Sequence, residues 1–354
     1  MRKLCFFVII TLVLSGCVQK KIIDDINIIS VQGYDTHEDE DTVRGTFVIP
    51  VYEGDKSISN TSFSAVASQS KAVKRKVEQK SSDPMVSGSV EVVLFGKELA
   101  EKGVFDIVDT LERDPSIGAN LIMAVVDGTA KEMLEQNLGN RGTGTYLYNL
   151  IYNNVRRREL PRSNLHLFLF SYFSKGKDPF LPYINLEEDK VNIKGVAIFK
   201  DEKVVSYVDD EEMFFFKALM ENFKNGSYTF KVEGEYVTIF SLTLKRKYEI
   251  EHAMKDPVVH IEVVLDGHIR EFSGKVMDPK TIAKIEEKFS ELIDEKTEKL
   301  LREFQEKAVD PIGIGLLAKT QTKSFDEKAW NEAYKRATFH VNSRVIISET
   351  GVVE

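Results

Sequence analysis

Three features of the sequence predict a mixed α/β (α+β) fold of more than one domain, with mixed sheets covered by helices and one long helix in the C-terminal region. Between residues 90 and 134, short apolar runs alternate with short amphipathic ones, the order of an α/β layer. Between residues 228 and 272 come long runs rich in Val, Ile, Thr, Tyr and Phe, the composition of extended strands. From Pro279 to about Ala308, apolar residues recur on one helical face over ~45 Å.

The chain begins with a basic head, Arg2 and Lys3, followed by an apolar run from Leu4 to Leu14 broken only by Thr11, which is the form of a secretory signal. A membrane-spanning helix needs about 20 apolar residues, so this run is too short to be an anchor. Leu14-Ser15-Gly16-Cys17 reads as a lipobox: small residues before a Cys whose thiol takes a diacylglycerol and becomes the new N-terminus after cleavage. Residues 1–16 are then a signal peptide. Cys5 leaves with it and Cys17 is consumed by lipid, so the two cysteines leave neither a free thiol nor a disulfide. Removing 16 of 354 residues takes Arg2 and Lys3 from 48 basic residues and nothing from 56 acidic ones, moving the formal charge from −8 to −10. That balance argues against nucleic-acid binding.

After a polar tether, Ile26 to Val31 reads as a strand closed by Gly33, with Asp35 just beyond. His37 to Asp41 is an acidic loop, and Thr46 to Tyr52 a second strand. Residues 54–62, crowded with Gly, Asn and Ser, read as a loop by composition. Phe63, Val66, Ser70, Val73 and Val77 recur at alternating steps of three and four, which predicts a helix from Phe63. Its outer face carries Lys71, Lys74, Arg75, Lys76 and Lys80 and reads as a solvated surface, with anionic lipid as the alternative. Asp83-Pro84 ends it, and Val90 to Phe95 is a strand. Lys97 to Lys102 is a short helix stopped by Gly103, Val104 to Leu111 another, Leu121 to Val126 a buried strand, and Gly128 to Leu134 a helix.

Gly139, Gly142 and Gly144 with Arg141 form a loop that lacks the context of a phosphate cradle. Tyr146 to Leu160 is helical and ends in Arg156, Arg157 and Arg158, at the favourable end of the helix dipole. Leu165 to Phe173 alternates Leu, Phe and Tyr in strand fashion, and Pro179 and Pro182 bracket a rigid link. The expected division is an N-terminal α/β domain over 17–188 and a C-terminal α/β domain of one or two subdomains over 189–354. The latter opens with strands Val196 to Phe199 and Val204 to Val208 and a helix from Asp210 to Asn222. Strands at Tyr228 to Val232, Val237 to Tyr248 and Val258 to Leu265 follow. Gly267-His268 reads as a turn into Ile269 to Phe272. After the long helix, Asp310-Pro311 turns the chain, Trp330 and Tyr334 share a short helix, and Phe339 to Ile347 is the closing strand.

Little in the chain carries chemistry. His252, His260 and His268 are spaced by eight, with Glu262 near the middle one, but form no tight ligand cluster, so no metal site is assigned. Ser68 and Lys71 have Ser-x-x-Lys spacing without a partner motif, and Gly313-x-Gly315 follows a helix, not a strand. No catalytic or cofactor-binding residue is assigned. After Cys17 no apolar run reaches the length of a membrane span.

Several blocks together resemble one family. Phe95-Gly-Lys-Glu-Leu-Ala-Glu-Lys-Gly103, Leu111-Glu-Arg-Asp-Pro115 and Val126-Asp-Gly-Thr-Ala-Lys131 are similar to the central motif of the Ger(x)C lipoproteins, the C subunits of spore germinant receptors. Ile23 to Asp35, Gly195 to Lys200 and Asp310 to Gly315 resemble its opening strand, the start of its C-terminal region and its turn after a long helix. Ser82 to Ser89 departs from it, being small and polar, so no contact role is carried over there. The resemblance implies a non-catalytic subunit on the outer face of the spore inner membrane, tethered by Cys17 beside a polytopic A subunit and a permease-like B subunit. The alternatives are a lipoprotein solute-binding module, which predicts two similar lobes around a cleft, and an envelope hydrolase, for which no nucleophile or acid pair is found.

Overall fold

The computed structural model describes residues 25–39, 42–55, 57–157 and 160–350. The lipobox residues Leu14, Ser15, Gly16 and Cys17 lie outside them. No helix among the described residues is long and apolar enough to cross a membrane.

An eight-stranded sheet organises residues 31–209. Its strands are β2 (Val31–Thr36), β3 (Val43–Tyr52), β4 (Ile58–Ala67), β6 (Val92–Gly96), β7 (Ile122–Val126), β8 (Phe180–Glu187), β9 (Lys190–Lys200) and β10 (Lys203–Asp209), in the order β10-β9-β8-β7-β6-β2-β3-β4. The four central strands β8, β7, β6 and β2 are parallel, and antiparallel hairpins extend the sheet on both sides. A short parallel pair, β1 (Asn27–Ile28) with β5 (Met85–Val86), sits beside it.

Helices α1 (Ser70–Glu78), α2 (Lys97–Lys102), α3 (Phe105–Glu112) and α6 (Leu165–Phe173) cover one face, burying Val73, Leu99, Val108 and Phe168 against Phe47, Val93, Met123 and Phe199. The other face, with Val48, Leu94, Ala124 and Ile198, packs on α4 (Ala130–Leu134) and α5 (Thr143–Arg157) and is continuous with the core of the second half. The strand interiors are therefore apolar on both sides, as buried parallel strands must be.

The second half has α7 (Met213–Met220) and a four-stranded sheet, β11 (Phe223–Val232), β12 (Glu235–Glu251), β13 (Val258–Phe272) and β14 (Thr338–Thr350), in that order. The long helix α8 (Pro279–Glu306) lies across it, burying Ile285, Phe289, Ile293, Leu300 and Phe304. Its start has the expected chemistry: Asp278 accepts a hydrogen bond from the Thr281 N–H at 2.8 Å, and Pro279 occupies the first turn. Phe289 stacks against both Tyr228 and Phe230 at centroid distances of 5.5 and 4.5 Å. Two short helices, α9 (Ile314–Gln321) and α10 (Glu327–Tyr334), lead to β14.

Four expectations are corrected. Residues 58–62 of the expected loop and the first turns of the helix expected from Phe63 are strand β4, paired residue by residue with β3 from Val43↔Ala67 to Tyr52↔Ile58. An edge strand with one wet face is free to be polar, and the β3 ladder supplies its hydrogen bonds. Leu165 to Phe173 is a helix, not a strand. With nearly every position apolar, either period fits, and the Asn164 cap, accepting from the Leu167 N–H at 2.8 Å, belongs to a helix start. Pro182 lies within β8, just before the β7 ladder begins at Tyr183, where a missing N–H costs that ladder nothing. Gly267 is no turn: β13 runs through it, and a Cβ there would meet Ile239 Cγ2 and Leu242 Cδ2, both at 2.8 Å, where β12 bulges. The missing side chain admits that close approach.

Residue 188 falls in the two-residue turn joining β8 to β9, where Glu188 and Asp189 have φ of 53° and 89°. Sheet hydrogen bonding continues across it as far as β10.

Candidate functional site

Three motif blocks converge at the carboxyl ends of the parallel strands. Asp35 ends β2, Gly96-Lys97 ends β6 and starts α2, and Asp127-Gly128-Thr129 ends β7 and starts α4. The buried Asp35 carboxylate accepts from the backbone N–H groups of Ala130 at 2.7 Å and Lys131 at 2.9 Å, so a residue 95 positions away satisfies the orphan donors of α4. Burial pushes its pKa up, against the pull of those two hydrogen bonds. A Cβ at Gly96 would collide with Asp35 Oδ1 and lie 3.2 Å from the Gly128 carbonyl, so the carboxylate occupies the space that a side chain at 96 would need.

Asp127 sits between two ammonium groups, Lys194 at 2.7 Å and Lys97 at 3.2 Å. Hydrogen bonding from Lys194, then from the Tyr183 hydroxyl, holds its pKa down to about 2. The lysines lie over aromatic rings, Lys97 Nζ 5.3 Å from the Tyr207 centroid and Lys194 Nζ 5.4 Å from that of Tyr183. The Tyr207 hydroxyl donates to Glu101 of α2 at 3.0 Å. A carboxylate so saturated is a poor general base at neutral pH. The cluster's chemistry is that of a clasp, tying the ends of β6, β7, β9 and β10 to the starts of two helices.

A second clasp joins the halves. The Asp310 N–H donates to Asp178 Oδ2 at 2.7 Å and the Asp178 N–H to the Asp310 carbonyl at 2.9 Å. The Asp310 carboxylate accepts from the N–H groups of Gly313 at 2.8 Å and Gly315 at 2.7 Å, shaping the turn into α9. Lys200 lies 3.3 Å from Asp178. Burial pushes the Asp310 carboxyl up to about 6 and raises Asp178 as well. Gly315 is packed so closely that a Cβ would strike Trp330 Nε1 and come within 2.7 Å of Gly176 Cα.

A cleft of about 1210 Å³ opens between β9, β10 and α8, lined among others by Lys194, Tyr207, Asp210, Glu212, Lys299 and Glu303. Within it Lys299 pairs with Glu212 at 2.8 Å and Glu303 at 3.3 Å. The parts flanking it are dissimilar, a sheet edge and a helix, rather than the two like lobes expected of a solute-binding module.

The candidate ligands read from sequence are not brought together. His260 faces His340 on β14, ring centroids 5.4 Å apart, while His268 pairs with Phe240 and His252 sits in the β12–β13 turn. Among the described residues no group of three His, Cys, Asp or Glu side chains could hold a metal. Gly144 belongs to α5, where a Cβ would meet Ser30 Cβ at 2.7 Å, and Gly313 is the left-handed cap of α9 at φ 85°. Sequence reasoning passed over Lys194 and Asp178. Their only signal was an unremarkable Lys or Asp beside a Gly or Pro.

Residues 19–186 match the family described as "Spore germination protein N-terminal domain", and residues 194–351 that described as "Spore germination B3/ GerAC like, C-terminal". Over 100% of both chains, the sequence is 32% identical to "Spore germination protein GerQC" of Bacillus cereus. The chain belongs to the Ger(x)C family of spore germination proteins. It is also 22% identical to "Putative spore germination protein YfkR" of Bacillus subtilis (strain 168), over 98% of this chain and 95% of that one. The crystal structure of the GerBC protein has the same fold, with a TM-score of 0.58 at 17% identity, covering 90% of this chain and 97% of that one. The mixed α+β architecture with its long C-terminal helix is thus that of a solved Ger protein.

Proposed function

We propose that this protein is the lipid-anchored, non-catalytic C subunit of a nutrient germinant receptor. A diacylglycerol on Cys17 holds it at the outer face of the spore inner membrane, beside a polytopic A subunit and a permease-like B subunit. The observation that carries this reading is the full-length similarity to GerQC. The use made of the motif residues supports it: Asp35, Gly96, Lys97, Asp127, Asp310 and Gly315 are engaged in capping, charge pairing and close packing, not poised for reaction. A subunit whose role is to complete an assembly needs a fixed surface more than a reactive site.

Deleting the gene in a strain without redundant receptors is the test. The expected result is loss of nutrient-triggered germination, while germination by agents that bypass receptors persists. An unchanged nutrient response would refute the assignment. Anchoring is tested separately by the mass of the N-terminal peptide, which should carry lipid on Cys17.

A further inference from the structure

We infer that the exposed face of α1 is the surface this body lays against an anionic lipid bilayer. The inference rests on the anchoring through Cys17 proposed above and goes beyond it by assigning an orientation.

Where the chain enters the folded body comes first. Asp25 follows Cys17 by eight positions, a stretch that spans at most ~29 Å when fully extended. The entry point is pinned: the Asn27 N–H donates to the Pro84 carbonyl at 2.9 Å and its side-chain amide to Ser81 Oγ at 2.7 Å. Ser81 lies three residues beyond the end of α1, and Lys74 of that helix donates to Ser87 Oγ at 2.8 Å, just past β5. A lipid on Cys17 therefore tethers the body by the end of α1, and the helix, only ~13 Å long, lies wholly within the tether's reach.

The charge of that helix is the second observation. α1 carries Lys71, Lys74, Arg75 and Lys76 against the single acid Glu78, and Lys80 follows. Its buried side is Ser70, Val73 and Val77, so Lys71, Arg75 and Gln79, spaced four apart, share the exposed stripe. Asp109 lies near Lys71 and Asp114 near Lys74 and Lys71, yet among the described residues none of the five cations forms an ion pair. Lys76 and Lys80 donate to the carbonyls of Val66 and Ser64 at 2.8 and 2.7 Å, covering the open edge of β4. Each ammonium keeps donors to spare for a phosphate. On a protein with an overall acidic balance, an unpaired basic stripe beside the tether matches the potential of an anionic leaflet. Tethering makes even weak attraction effective, because it fixes a high local concentration.

The lipidated full chain carrying Gln79→Cys is labelled there with a fluorophore and reconstituted into vesicles with headgroup-quencher lipid. The vesicles are phosphatidylcholine, with or without about a third phosphatidylglycerol. Cys5 leaves with the leader and Cys17 is blocked by lipid, so the label is unique. Quenching at least about threefold stronger on the anionic vesicles, lost in high salt and in Lys71→Glu/Arg75→Glu, is expected. Equal quenching on both vesicles, or quenching indifferent to the two reversals, overturns the inference, as it would if the stripe served an acidic protein instead. A label also found on Cys17 would sink the anchoring reading alone. The basic stripe is then read on that unlipidated chain by co-sedimentation: binding to anionic vesicles on the order of 10-fold above neutral ones, abolished by the reversals, supports it, and equal binding overturns it.

Discussion

One carboxylate, that of Asp35, both caps α4 and fills the space that a side chain at Gly96 would need. Asp35→Ala removes the acceptor of two backbone donors, of which the Ala130 N–H is buried. Hydrogen bonds to a charged group contribute about 1.5–3 kcal/mol each, so the gross loss is about 3–6 kcal/mol. Relief of the carboxylate's own burial, which raises its pKa, offsets part of that, leaving a net loss of roughly 2–4 kcal/mol. Gly96→Ala alone drives a methyl into Asp35 Oδ1, an overpacking cost of about 1–3 kcal/mol. In the double variant the struck oxygen is gone, and only the tight contact with the Gly128 carbonyl at 3.2 Å, a matter of a few tenths of an ångström, remains. The two losses are then not additive: the double variant should be at least about 1 kcal/mol more stable than their sum. Urea midpoints with unchanged slopes read this directly. Additivity within about 0.5 kcal/mol would refute the shared-space account, even if each single change destabilises.

Other outcomes follow from the two clasps and the long helix. Burial holds the Asp310 carboxyl up at about 6, above its value of about 3.9 in an unfolded chain, so the native state binds the extra proton and stability falls as pH rises from about 4 to 6. Asp310→Asn should flatten that part of the urea-midpoint profile, and an unchanged slope would remove Asp310 as its source. Asp127 works in the opposite sense: held down to about 2, its contribution is present above about pH 4 and lost as pH falls toward 2, a loss that Asp127→Asn should abolish. Gly315→Ala forces a methyl against Trp330 and the Gly176 backbone, at a cost of about 1–3 kcal/mol. Trp330 is the sole tryptophan, so its fluorescence should shift in the same variant, and an unaltered spectrum and midpoint would contradict the packing. Asp278→Ala should cost about 1 kcal/mol by uncapping α8, measured against Asp278→Ser as a conservative cap.

Much of the fold was legible because local chemistry and tertiary demand agreed. The long helix announced itself through Asp278, Pro279 and a stripe from Ile285 to Phe304, each a signal that needs no distant partner. Gly103 marked the end of α2 for the same reason, with φ of 141°. Blocks around Gly96, Asp127 and Asp310 were recognisable as a family pattern, and that pattern led to the family to which the chain belongs. What the blocks do physically was hidden, since Asp35 finds its donors 95 residues away and Asp178 finds Asp310 132 residues away.

The sequence by itself determined the long helix with its cap and apolar stripe, the central strands and the kinship. Tertiary structure alone decided that a polar Ser/Asn/Thr stretch is the edge strand β4, because the hydrogen bonds that make it a strand belong to β3. It decided that the almost uniformly apolar Leu165–Phe173 is a helix, since periodicity cannot choose where nearly every position is apolar. It also placed the entry of the chain beside the basic α1, a proximity set by the pairing of β1 with β5 and the side-chain bond between Asn27 and Ser81 across 54 residues. Periodicity and composition describe a segment's own preferences, whereas these contacts are made by chain closure, and no local signal encodes which distant segment will close on which.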